Sequence, residues 1–232
     1  MGSYAEYALV PAAQLVKVPD GLTPEQAAAA MLQGMTAHYL AYSTFPLKAG
    51  DTALVHAGAG GVGLLLTQMA KLRGGRVIAT TSTEEKAALA KQAGADHVIG
   101  YERFPERARE ITGGEGMAAV YDGVGKATFL DGFDALAPTG RMILYGSASG
   151  QPDPVDPGLL QSHGSVYLQR PMLGTYTRTP QLLRELAQQL FELIAIGAIE
   201  VRIGATYPLA EARKAMEDLE ARKTTGKLIL IP

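Results

Sequence analysis

Apolar residues in the middle of this chain fall into short runs separated by longer stretches of helical periodicity. The runs at 53–57, 76–80, 97–99, 118–121 and 142–145 predict strands, and 165–168 supplies a sixth. Between them, 61–72, 83–93, 104–111 and 128–136 carry helix-forming residues with mixed apolar and polar positions. Strands that alternate with helices of about ten residues argue for a parallel sheet built from right-handed crossover units.

The flanks read differently. Residues 4–18 suggest short extended pieces, broken at Pro11 and closed by the turn signal Pro19-Asp20-Gly21. Thr23 is a good N-cap, Pro24 sits at the first helical position and Gln26 completes a capping box, so a helix starts there and runs through an alanine-rich stretch. A second helix is expected from near Thr36 to before Pro46. Towards the end, 180–197 predicts a long helix and 209–222 another, with Leu209, Ala212, Met216 and Leu219 at helical spacing. A strand over 227–231 closes the chain.

Composition narrows the class. Hydrophobic residues make up 47% of 232 and charged residues 19%, enough apolar material for a packed core. A net charge of -2 gives no electrostatic case for nucleic acid or an anionic membrane. There is no cysteine, which excludes disulfides and thiolate metal sites. His38, His56, His97 and His163 lack metal-ligand spacing, so no metal is expected. No apolar run reaches the roughly 20 residues of a membrane span, and the first residues have neither the basic nor the apolar part of a signal peptide. A cytoplasmic location is the default.

The strongest motif follows the first strand. Gly58, Gly60 and Gly63 satisfy G-x-G-x-x-G, between an apolar strand and a helix. Glycines there permit a tight turn and let backbone approach a pyrophosphate, which the N–H groups and dipole of the new helix then hold. An NAD site carries an acid at the end of the second strand. Here that strand ends in Thr80, Thr81, Ser82 and Thr83, with Lys86 within one helical turn. Hydroxyls and an ammonium suit a 2′-phosphate, which an acid would repel, so the cofactor expected is NADPH. Glu84 and Glu85 argue against this unless they point away from the pocket.

Taken together, these motifs resemble a known family. Gly50-Asp51, Gly60-Gly61-Val62-Gly63, Gln68 and Lys71 resemble the signature of the zinc-independent quinone oxidoreductase (zeta-crystallin-like) family of the medium-chain dehydrogenase/reductase superfamily. Gln33-Gly34-Met35-Thr36, Ala93-Gly94-Ala95-Asp96, Tyr121-Asp122-Gly123-Val124-Gly125, Gly146-Ser147, Arg170-Pro171 and Thr225-Gly226-Lys227 are similar too, so the likeness spans the chain. It implies an α/β fold: a Rossmann-type doubly wound parallel sheet with remnants of a GroES-like β domain. Residues 1–35 would be a remnant of that domain with a linker helix, 36–199 the NADP-binding domain, and 200–232 a return to the catalytic domain. The resemblance also implies NADPH-dependent reduction of quinones or other conjugated carbonyl compounds without metal. Gly60, Gly61 and Val62 would hold the pyrophosphate. Thr81, Ser82, Lys86 and Tyr101 would surround the 2′-phosphate, with Arg222 reaching in. Thr36, Val124, Gly146 and Ser147 would line the nicotinamide half. The catalytic residues stay unknown; Asp122 is expected to stabilise its loop rather than to move protons.

The chain departs from the family in beginning near the end of the GroES-like domain, so a shortened protein is expected, with exposed apolar surface and self-association, a homodimer being common in the family. Two alternatives remain: an NADPH-binding module without turnover, and an enoyl reductase such as the reductase module of a polyketide synthase.

Overall fold

The computed structural model describes every residue except Met1, Ser3, Arg222 and Lys223. After a 3-10 turn at Ala12–Gln14, with no strand in the region expected to be extended, helix α1 covers Pro24–Tyr39. Its start is the expected capping box: Gln26 N donates to Thr23 Oγ1 at 3.2 Å and Thr23 N donates to Gln26 Oε1 at 2.9 Å. The second helix expected near Thr36 is instead the same helix, prolonged by a π-type turn over Leu40–Thr44. Gly34 weakens the run by about 1 kcal/mol relative to alanine, but its missing side chain admits Leu190 from a later helix: a Cβ there would lie 2.8 Å from that side chain.

The alternating segment follows. In order come β1 (Thr52–Val55), α2 (Gly61–Leu72), β2 (Arg76–Thr80), α3 (Glu84–Gln92), β3 (His97–Ile99), α4 (Phe104–Ile111), β4 (Met117–Asp122), α5 (Asp131–Asp134) and β5 (Leu136–Leu144). Then α6 (Pro157–Ser162), β6 (Tyr167–Gln169), α7 (Leu173–Tyr176) and α8 (Pro180–Ala195) lead to β7 (Ile203–Pro208), α9 (Ala212–Glu220) and β8 (Lys227–Ile231). The helix expected over 128–136 shrinks to α5. Leu136 joins β5 opposite Met117, where it is fully buried, and Pro138 disfavours helix in the residue before it.

Strands β1–β6 form one parallel sheet in the order β3-β2-β1-β4-β5-β6. That is the doubly wound Rossmann order, with its switch point between β1 and β4. Alternate residues of each strand feed opposite faces. Ala53, Val55, Val77, Ala79 and Tyr121 join Leu66, Met69, Leu190 and Phe191 on one side, under α1, α2 and α8. Leu54, Ile78, Val120 and Met142 join Phe104, Phe133 and Leu136 on the other. The β7–β8 pair is a separate, parallel two-stranded sheet. Among the described residues no helix is long and apolar enough to cross a membrane.

Candidate dinucleotide site

The crevice above the switch point is shaped by the turn between β1 and α2. Its backbone is tied down on both sides: His56 N donates to Tyr121 O at 3.0 Å, Gly58 N to Thr80 O at 2.9 Å, and Gly60 N to Ala57 O at 2.8 Å. The glycines are required by close approach. A Cβ on Gly58 would lie 2.7 Å from Ala79 Cβ, and one on Gly63 would lie 2.4 Å from Ala57 O. Gly60 caps α2 and, with Ala57 and Ala59, lines a cavity of about 390 Å³. A helix N-terminus beside a glycine turn and a cavity is the arrangement that suits an anion.

One end of the cavity is lined by Thr80, Thr81, Ser82, Lys86 and Tyr101. Thr83 caps α3 by accepting from Lys86 N at 3.2 Å. Glu84 and Glu85 lie in that first turn, where the helix dipole favours them, and neither lines the cavity. The acids that argued against a 2′-phosphate are therefore not part of the cavity wall.

The other end is built by two zipped loops. Fully buried Asp122 accepts from Val124 N at 2.7 Å, Gly125 N at 2.9 Å and Thr128 Oγ1 at 2.9 Å. The loop after β5 then pairs with it. Gly146 N donates to Asp122 O at 3.2 Å, Ala148 N to Gly123 O at 3.2 Å, and Ser149 N to Val124 O at 2.7 Å. Val124, Gly146 and Ser147 are thus brought together. Of these, Val124 lines the cavity, beside Ala127, Thr128 and Ala148.

The C-terminal segment closes the third side. Leu219 and Thr224 line the cavity, and Gly226 forms a bridge with Gly60, its N–H donating to Ala59 O at 3.4 Å. Arg222 lies outside the described residues.

Gly61 and Val62 are the first residues of α2 and lie outside the cavity lining. A Cβ on Gly61 would sit 1.9 Å from Gln33 Oε1, so the amide of Gln33 lies directly on this glycine. Thr36 is one turn further along α1, on the same face as Gln33, with its hydroxyl donated to Leu32 O at 2.7 Å. Sequence reasoning missed Gln33 as a neighbour of the turn, although it stands in the stretch that carried the resemblance. It also missed the lining alanines, which have no chemistry to mark them. Beneath the turn, burial pushes the fully enclosed imidazole of His56 down to about 4, against the opposing pull of Asp122. Among the described residues no group of three metal-ligating side chains gathers.

Residues 61–191 match the family model described as zinc-binding dehydrogenase. A quinone oxidoreductase of Pseudomonas aeruginosa is 44% identical over 234 residues, which is all of this chain and 72% of that protein. A mycobacterial protein solved in complex with NADPH superposes with a TM-score of 0.97 at 53% identity, over all of this chain and 72% of the other. The quinone oxidoreductase of Escherichia coli, also solved with NADPH, gives 0.89 at 43% identity, over 93% and 67%.

Proposed function

The chain belongs to the quinone oxidoreductase family of the medium-chain dehydrogenase/reductase superfamily, and from that premise we propose that it binds NADPH and passes hydride to a quinone or other conjugated carbonyl compound without a metal. One observation carries the cofactor choice. The cavity at the end of β2 presents Thr81, Ser82 and Lys86 where an NAD site presents an acid. The fit is physical: three donors of proton or charge face the space beside a helix N-terminus. With no cysteine in the chain, thiolate zinc ligation is excluded here by composition.

When bound, the nicotinamide supplies the hydride and the protein supplies position. Gly60, Gly61 and Val62 hold the pyrophosphate at the start of α2. Thr81, Ser82, Lys86 and Tyr101 surround the adenosine end, with Arg222 assigned to the same phosphate. Thr36, Val124, Gly146 and Ser147 flank the nicotinamide half. Asp122 keeps the Val124 loop rigid, so that little reordering accompanies binding.

The test is a side-by-side titration with NADPH and NADH, followed by addition of 9,10-phenanthrenequinone while the nicotinamide absorbance is read. NADPH is expected to bind more tightly than NADH and to be oxidised when the quinone is added. Lys86→Ala should cost NADPH about 1.5–3 kcal/mol, roughly 10- to 150-fold, and leave NADH unchanged. Equal affinity for the two nucleotides sinks the phosphate reading. Saturable binding without oxidation favours the binding-module reading.

A further inference from the structure

Ala57 is a conformational anomaly at the centre of the glycine turn. Its φ is 52°, in the left-handed region that favours glycine. Its backbone N–H also lacks a strand partner, because the flanking amides of His56 and Gly58 take the neighbouring carbonyls of Tyr121 and Thr80. Ala57 is half-buried on the cavity wall, and an acceptor stabilises an N–H held there away from the strand ladder. The acceptor comes from beyond the next two strands: Ala57 N donates to the hydroxyl oxygen of Tyr101 at 3.1 Å. Tyr101 follows β3, on the far side of β2, 44 residues away in sequence.

The phenol is itself held. Its ring lies nearly parallel to the imidazole of His56, 13° between planes and 6.0 Å between centroids. His56 is fully buried, stands edge-on to Phe104 at 4.7 Å, and is pinned by a 2.9 Å hydrogen bond between Nδ1 and Thr80 Oγ1. The ring stack therefore fixes where the hydroxyl oxygen sits, and that oxygen fixes the N–H that a left-handed alanine presents.

We infer that Tyr101 is a positioning residue for the dinucleotide: its hydroxyl acts through Ala57, holding the glycine turn in the shape that receives the pyrophosphate. The inference rests on the dinucleotide reading above and changes the part Tyr101 plays in it. A contact with the 2′-phosphate would serve NADPH alone. A clamp on the turn serves the pyrophosphate, which NADPH and NADH share.

The experiment uses the intact chain with Tyr101→Phe, Ala57→Gly and the double variant. Dissociation constants for NADPH and NADH are measured in each, together with hydrogen exchange at the Ala57 amide without nucleotide. Tyr101→Phe should weaken both nucleotides equally, by about three- to tenfold, and speed exchange at Ala57. In the Ala57→Gly background, where the left-handed conformation needs no support, the same substitution should cost less than half as much in log units. Loss of NADPH affinity alone, additive effects in the double variant, or unchanged exchange at Ala57 would overturn the inference. If the wild-type chain binds neither nucleotide, the cofactor reading fails, while exchange at Ala57 still judges the clamp.

Discussion

Replacing Asp122 tests the loop that carries Val124. In the folded chain its carboxylate receives three hydrogen bonds with no exposure to water: Val124 N at 2.7 Å, Gly125 N at 2.9 Å and Thr128 Oγ1 at 2.9 Å. Asp122→Ala removes both acceptor oxygens and with them all three hydrogen bonds. Thr128 keeps a fallback, since its hydroxyl also reaches Gly125 O at 3.3 Å. The two backbone amides have none, and each buried, unpaired donor costs about 1–3 kcal/mol. The alanine variant should therefore lose about 2–6 kcal/mol, a large share of the 5–15 kcal/mol typical of a domain. Asp122→Asn separates charge from geometry. One amide oxygen can still accept from Val124 and Gly125, while the new NH₂ can donate to Thr128 once its hydroxyl turns to accept, so a loss of about 1–2 kcal/mol is expected. Urea unfolding of the wild type and both variants, followed by circular dichroism, gives the comparison. An alanine variant within 1 kcal/mol of wild type would refute the account of the loop, and so would an asparagine variant as damaged as the alanine one.

Three further tests address other parts of the site and its scaffold. A Cβ on Gly63 would meet the carbonyl of Ala57 at 2.4 Å, and backbone cannot swing aside, so Gly63→Ala should weaken NADPH binding at least tenfold in a fluorescence titration; unaltered affinity would mean the turn is softer than its packing implies. The clash at Gly61 is with the end of the flexible Gln33 side chain, so the affinity lost in Gly61→Ala should be recovered in a Gln33→Ala background, and a loss that persists there would assign the glycine to the ligand instead. Burial holds both His38 and His56 at about 4, against an ordinary 6.5, so the unfolded chain binds more protons between those values and stability falls as pH drops through them. Each should cost about 2 kcal/mol at pH 5 relative to pH 7, read as a lower urea midpoint; a midpoint that does not move would contradict the buried, neutral imidazoles.

The middle of the sheet was legible because β1, β2 and β4 are buried on both faces. A run such as Arg76–Thr80 has to be apolar almost throughout, and its two ends fall where the apolar residues stop. Helices α2 and α4 were equally plain, since each begins at a glycine turn or a proline and carries one packed face. Legibility failed where the partner was remote. Strand β7 pairs, among the described residues, with β8 alone, and its Gly204 and Pro208 read as loop residues in sequence. Helices α6 and α7 have too few residues to show a period. Gly34 illustrates the same limit in reverse: it interrupts an alanine-rich run in sequence, yet the helix passes through it because Leu190, 156 residues later, fills the space it leaves.

The site divides along a related line. Gly60, Ser82 and Lys86 announce themselves because their chemistry at that spacing has few other uses, and all three line the cavity. Ala57, Ala127, Ala148 and Leu219 line it as well, but they contribute shape, and shape exists only after five strand ends and the C-terminal segment have come together. Tyr101 lies between these cases. The resemblance implied a phosphate contact for it, and in the fold its oxygen accepts from a backbone amide of the turn. Residue type and spacing picked out several of the groups that line the cavity. They could not say which of those groups meet a ligand directly and which hold another group in place, because that distinction depends on hydrogen bonds between residues 44 apart in sequence and adjacent in the fold.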